Sequence, residues 1–229
     1  MKKTLTLVTL LAGAVSGYSQ GQLVFTDYAG TADMQIQVFN TQATAPTGAT
    51  QVTVTYGGYT VVEYQGNPAA PASPAGTVVY NAGTALSGTG FDAQVYYSAT
   101  AGDTLADLTP VTGVLHFSTG TTSPVGFIKG TDTDTLVALG TGSTGTIAIA
   151  AWSTDGGLYT TLAAAQLADK TTPNSAPWGF SSLAAITPQN PAVPIPSSLE
   201  SFSLGAVPEP STIALGVMGA SALLFRRRK

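Results

Sequence analysis

The 229-residue sequence contains no cysteine, which excludes disulfides, thiolate nucleophiles and cysteine-ligated metal sites. It contains a single histidine, His116, so a catalytic triad built on imidazole would have to use that residue. Charge is scarce at 9% of residues. Between Gln20 and Val207 the only bases are Lys129 and Lys170, against eleven acids, for a net charge of −9. A body of that sign lacks the basic footprint that a nucleic-acid partner requires. The apolar runs are short: Leu5 to Val15 and Ile213 to Phe225 both fall below the ~20 residues of a full bilayer crossing.

The sequence is rich in residues that favour pleated structure. There are 26 glycines, Thr and Val recur, and the prolines lie between apolar runs. β-branched side chains crowd a helix at χ1 but pack well on a sheet, so the mixture predicts strands joined by glycine turns. Period-two alternation appears in Met34 to Phe39, Gln51 to Tyr56, Tyr59 to Tyr64, Phe91 to Tyr97, Val111 to Phe117 and Thr144 to Trp152. Gly57-Gly58, between two of these runs, predicts a hairpin, because both turn positions accept positive φ. Asn67 to Gly76 reads as a Pro/Ala/Ser-rich surface loop, and Glu200 to Leu204 as a last strand at a sheet edge. The one helix expected is alanine-rich Leu162 to Lys170, barred from extension by Pro173. The expected fold class is all-β, a β-sandwich-like body over residues 20–206.

The two ends carry different signals. Residues 1–19 have the three parts of a secretory signal peptide: Lys2 and Lys3, the apolar Leu5 to Val15, and small residues through Ser19. Cleavage is placed after Ser19, with Ser16 as the alternative. Residues 207–229 begin Val207-Pro208-Glu209-Pro210, continue through an apolar segment, and close with Arg226, Arg227, Arg228 and Lys229. That order predicts a short transmembrane helix over 211–225, with the basic cluster holding its end in the cytoplasm and the body outside. A tail anchor with Pro-Glu-Pro as a rigid spacer is the plainer alternative.

The Pro-Glu-Pro triplet, apolar segment and terminal Arg cluster resemble the PEP-CTERM sorting signal of Gram-negative bacteria. The resemblance implies export through the Sec translocon, removal of the leader by signal peptidase, and recognition of the tail by an exosortase-type membrane enzyme. It also implies transient membrane anchorage and a final place at the cell surface or in extracellular polysaccharide matrix. In the body, Gly90 to Tyr97, Thr146 to Ser153 and Ser201 to Leu204 resemble exported PEP-CTERM proteins of the verrucomicrobial type, which implies a β-sandwich.

Chemistry is sparse. Gly140 to Gly145 formally fits G-x-G-x-x-G, but strand alternation follows where a helix N-terminus must receive the phosphates. Asp132 and Asp134 offer oxygens to calcium, which takes about 6 to 8 of them; a solvated polar turn is the other reading. His116 lies in a strand pattern with no G-x-S-x-G beside it. No cofactor and no catalytic residue is assigned, and the body is expected not to be an enzyme. Tyr96, Tyr159 and Trp178 are candidate glycan contacts, which would make the body a carbohydrate-binding module. Phe91, Tyr97 and Trp152 are assigned to the core. The leading expectation is an exported structural or matrix protein.

Overall fold

The computed structural model describes residues 20–24, 36–121 apart from 71 and 73, 124–128, 136–140, 144–188, 196 and 198–207. In chain order the strands are β1 (Gln20–Val24), β2 (Val38–Phe39), β3 (Thr50–Tyr56), β4 (Tyr59–Gln65), β5 (Phe91–Ser98), β6 (Thr109–Pro110), β7 (Leu115–His116), β8 (Leu136–Gly140), β9 (Gly145–Ser153), β10 (Trp178–Phe180), β11 (Ala184–Ile186) and β12 (Phe202–Ser203). One helix, α1 (Leu162–Thr171), lies between β9 and β10. The larger sheet runs β10-β9-β5-β6, with β7 also on β5 and β11 also on β9. The smaller sheet runs β2-β12-β4-β3, and β1 pairs with β8 in a separate ribbon.

The larger sheet is organised by the antiparallel pairing of β5 with β9, in which Ala93 faces Ala151, Val95 faces Ile149 and Tyr97 faces Ile147. Those six side chains enter one apolar cluster with Ile36, Val38, Phe117, Phe202 and Leu204. Alternation sends Tyr96, Ala148, Ala150 and Trp152 to the other face, into a second cluster with Val54, Val61, Trp178 and Phe180. Every β9 residue from Gly145 to Trp152 is buried. Both faces of this strand are therefore core, unlike the half-solvated strand that alternation alone suggests.

The hairpin of the smaller sheet forms as its sequence requires. Gly57 and Gly58 adopt φ of 60° and 82°, the left-handed values a two-residue turn between twisted strands demands. The register puts Val54 opposite Val61, both buried, so a one-residue slip would turn this pair to solvent.

The helix changes the fold class. Thr161 caps it by accepting the Ala164 amide on Oγ1 at 3.2 Å, and the Thr172 amide closes it on the Ala168 carbonyl. Leu162 and Ala165 then pack in the same cluster as Trp152. The expectation of an all-β sandwich is thus corrected to a mixed α/β architecture, with two main sheets and one internal helix. The helix position was legible; its role in covering a sheet face was not. Membrane anchorage through a C-terminal helix is also corrected. Among the described residues no helix is long and apolar enough to cross a membrane, and α1, at ten residues, reaches only about 15 Å. The segment 211–225 and the leader 1–19, on which those expectations rested, lie outside the described residues, as do Asp132 and Asp134.

Two strand assignments also shift. Val111 to Phe117 is not one strand, since β6 and β7 pair with opposite ends of β5 and residues 111–114 separate them. The stretch 200–204 is not an edge: β12 is parallel to β2 on one side and antiparallel to β4 on the other.

Trp152 is 0% exposed and donates its indole N–H to the Tyr159 carbonyl at 3.1 Å. Replacing Trp152 by Ala is expected to cost about 3 to 5 kcal/mol of unfolding free energy, read from urea denaturation followed by circular dichroism; a loss below about 1 kcal/mol would contradict the double-sided core.

Candidate functional site

The region nearest the expected sorting motif is the segment 201–207, which ends at the last described residue before Pro208. Its sequence alternates, Ser201-Phe202-Ser203-Leu204, and the alternation sorts chemistry. Phe202 and Leu204 enter the core, while Ser201 and Ser203, both fully buried, use their hydroxyls in place of backbone partners. Ser201 Oγ accepts the Gln37 amide at 3.0 Å and Ser203 Oγ accepts the Tyr64 amide at 3.1 Å. Each satisfies an N–H that burial would otherwise strand. The Ser201 carbonyl accepts the Gly66 amide at 2.9 Å and the Tyr80 hydroxyl at 3.2 Å. Tyr80 is itself stacked on Phe39, with ring centroids 3.8 Å apart.

The next two residues fix the course of the chain up to Val207. The Gly205 amide donates to the Trp178 carbonyl at 2.8 Å, and Ala206 exchanges both backbone bonds with Val62 at 2.9 and 3.0 Å. A Cβ at position 205 would stand 2.5 Å from Val61 Cγ2 and 2.6 Å from Val61 Cβ, so only glycine lets the chain pass this close to β4.

A buried carboxyl group lies beside this segment. Glu63 shares the inward face of β4 with Val61 and Gln65. Its Oε1 accepts from Gln65 Nε2 at 2.8 Å, and its Oε2 accepts the Phe180 amide at 3.0 Å. Glu63 thereby ties the smaller sheet to β10 of the larger one. Burial pushes its pKa from the ordinary 4.5 up to about 8, against the opposing pull of those two hydrogen bonds. Asp169 on α1 is also raised by burial; the Ala176 and Asn174 amides face its carboxylate and pull the other way, without reaching full hydrogen-bond geometry.

A cleft of about 400 Å³ opens beside Val207, bounded by Tyr59 and Thr60 of the hairpin, Gln166 and Lys170 of α1, and Trp178. Lys170 Nζ lies 5.4 Å from the centre of the Tyr59 ring, within cation–π range. Gln166 is held by its Nε2 donation to the Tyr56 carbonyl at 3.2 Å.

The structure disperses the candidate glycan contacts. Tyr96 and Trp178 are 4% and 1% exposed and belong to the core, so neither offers a flat face to a sugar ring. Tyr159 is partly buried in a separate shallow groove beside α1. No coplanar platform joins the three. Tyr97 and Trp152 lie in the core as assigned, with Phe91 packed against it. His116 is partly exposed on β7 and pairs through Nδ1 with Asp92 Oδ1 at 2.8 Å. Burial raises the Asp92 carboxyl while the imidazole pulls it down. Among the described residues no group of three or more metal-ligating side chains converges. Sequence reading missed Glu63, Gly205 and the Lys170–Tyr59 contact. The position of Glu63 two residues from Val61 in an alternating strand was the available sign of its burial.

Substituting Gly205 by Ala is expected to destabilise the protein by about 1 to 3 kcal/mol through overpacking against Val61, with part of the loss recovered when Val61→Ala is added; an unchanged denaturation midpoint would remove the close-approach argument. For Glu63 the folded pKa exceeds the unfolded one, so its contribution is full below about pH 4.5 and is lost as pH rises toward about 8. Asp92 and Asp169, also raised, act in the same direction. The urea midpoint should therefore fall between those pH values, and less steeply in Glu63→Gln; equal slopes in the two proteins would show that Glu63 is not the titrating group.

Comparison with known families gives one match. Residues 206–229 match the PEP-CTERM protein-sorting motif, so the chain carries that motif from Ala206 onward. The motif is a non-catalytic sorting signal, consistent with a protein that is not an enzyme, and it supports export with exosortase-mediated processing. No curated protein and no solved structure matches the chain.

Proposed function

We propose that this chain is an exported, surface- or matrix-associated structural protein whose sorting tail is processed by an exosortase-type enzyme. Residues 1–19 act as the leader removed by signal peptidase after Sec-dependent export, residues 20–206 form the body, and residues 207–229 carry the signal. Val207, Pro208, Glu209 and Pro210 are the recognised element, and Arg226, Arg227, Arg228 and Lys229 its basic end. The observation that carries this reading is the family match over residues 206–229, which begins at Ala206, a residue still paired with Val62 of the body.

Support for a structural body over a carbohydrate-binding one comes from the burial of Tyr96 and Trp178. Stacking on a sugar requires an accessible ring face, and the core has taken both. The acidic, Thr- and Gly-rich surface suits a hydrated matrix component, since net charge of one sign keeps chains soluble and apart.

Both ends of the mature protein should be sequenced after expression in a Gram-negative host that contains an exosortase. The expected product begins at Gln20 and lacks Arg226 to Lys229, whereas a Pro208→Ala, Glu209→Ala, Pro210→Ala variant retains its tail. A wild-type product that keeps the intact tail would refute the processing reading.

A further inference from the structure

We propose that the cleft beside Val207 is a docking groove for this chain's own Pro208-Glu209-Pro210, so that the folded body holds its sorting motif in cis. Three independent observations converge on that occupant. The first is position. Val207 lines the cleft, and the double hydrogen bond of Ala206 with Val62 fixes its direction. Glu209 follows two residues later, within about 7 Å of extended chain.

The second is charge. Among the described residues Lys170 is the only charged one that lines the cleft, and it makes no ion pair with any of them. Glu209 is the only acid after Glu200. The ammonium group is already stationed over the Tyr59 ring, so a carboxylate placed there meets a positioned partner. The third is shape and conformation. Proline restricts φ at its own position, and a residue before proline is biased toward extended backbone. A Pro-x-Pro segment therefore favours polyproline II, the form that aromatic-lined grooves bind with little loss of chain entropy. Tyr59 supplies an aromatic wall, and Gln166 supplies an amide whose Nε2 is already engaged by the Tyr56 carbonyl, leaving its oxygen as an acceptor.

The consequence concerns timing. A motif seated on the body must leave the groove before an enzyme can grip it, so folding of the body moderates processing. That consequence rests on Pro208 to Pro210 being the recognised element, whereas the docking itself does not.

The chain's lack of cysteine allows a clean test on the full-length protein. Thr60→Cys and Ser211→Cys are introduced together and oxidised at high dilution and low ionic strength, and the intramolecular disulfide is followed on non-reducing gels. A control pair joins Ser211→Cys to Leu183→Cys, since Leu183 is exposed in a different groove. Docking is expected to make the first pair close about tenfold faster than the control, by raising its effective concentration. Adding Lys170→Glu should slow the first pair about fivefold, the scale of an exposed attraction turned into repulsion. Adding Glu209→Lys to that variant should restore the rate. Equal rates for the two pairs, indifference to Lys170→Glu, or no recovery on charge exchange would each overturn the proposal. No enzyme takes part, so failure here would leave the processing reading standing, and failure of processing would leave this one.

Discussion

The pairing of β5 with β9 constrains the rest of the fold. Eight residue pairs hold the two strands in register, and small or branched side chains project from both faces. A strand pair that is apolar on both sides must be covered twice, because leaving either face in water forfeits about 25 cal/mol per Å² of apolar area. One face is closed by residues from β2 and β12, the other by the β3–β4 hairpin and α1. The second covering is what brings a helix into a chain whose composition favours strands. Alanines at 148 and 150 leave room on that face, and Trp152 and Trp178 fill what remains.

Joining two covers to one sheet creates seams, and the polar groups of this protein mark them. Glu63 spans the seam between β4 and β10, satisfying the Phe180 amide with a carboxyl group that burial makes reluctant to ionise. Ser201 and Ser203 close the seam along β12. Tyr80 closes another, its hydroxyl reaching the carbonyls of Gly66 and Ser201. Buried polar contacts of this kind contribute modest net stability, yet each would be costly to leave half-made. They therefore specify one arrangement of the layers more than they strengthen it.

Much of this was legible beforehand, for reasons that can be traced to particular residues. The Gly57-Gly58 hairpin followed from local backbone chemistry alone, and both glycines adopt the positive φ expected. The position of α1 followed from its alanine content and from Pro173. The sorting motif followed from an ordered set of parts confined to one end of the chain. What was not legible depended on partners distant in sequence. Period two identifies a strand without saying what covers its second face, so the all-β class was inferred where a mixed one exists. The aromatic residues proposed for sugar contact were chosen by type, and type does not separate a stacking face from a core filling. The interior place of β12 is fixed by partners more than a hundred residues away, such as Gln37 and Tyr64.

That interior place bears on how the protein comes into being. β12 completes the smaller sheet between β2 and β4, yet it is translated among the last parts of the body. A chain synthesised from its N-terminus exposes β2 and β4 with an empty slot between them until residues near 206 emerge. The sheet would then close in a single late event, at the moment when the sorting motif itself arrives. Completion of the smaller sheet and the appearance of the residues that match the sorting motif are thus tied together by topology.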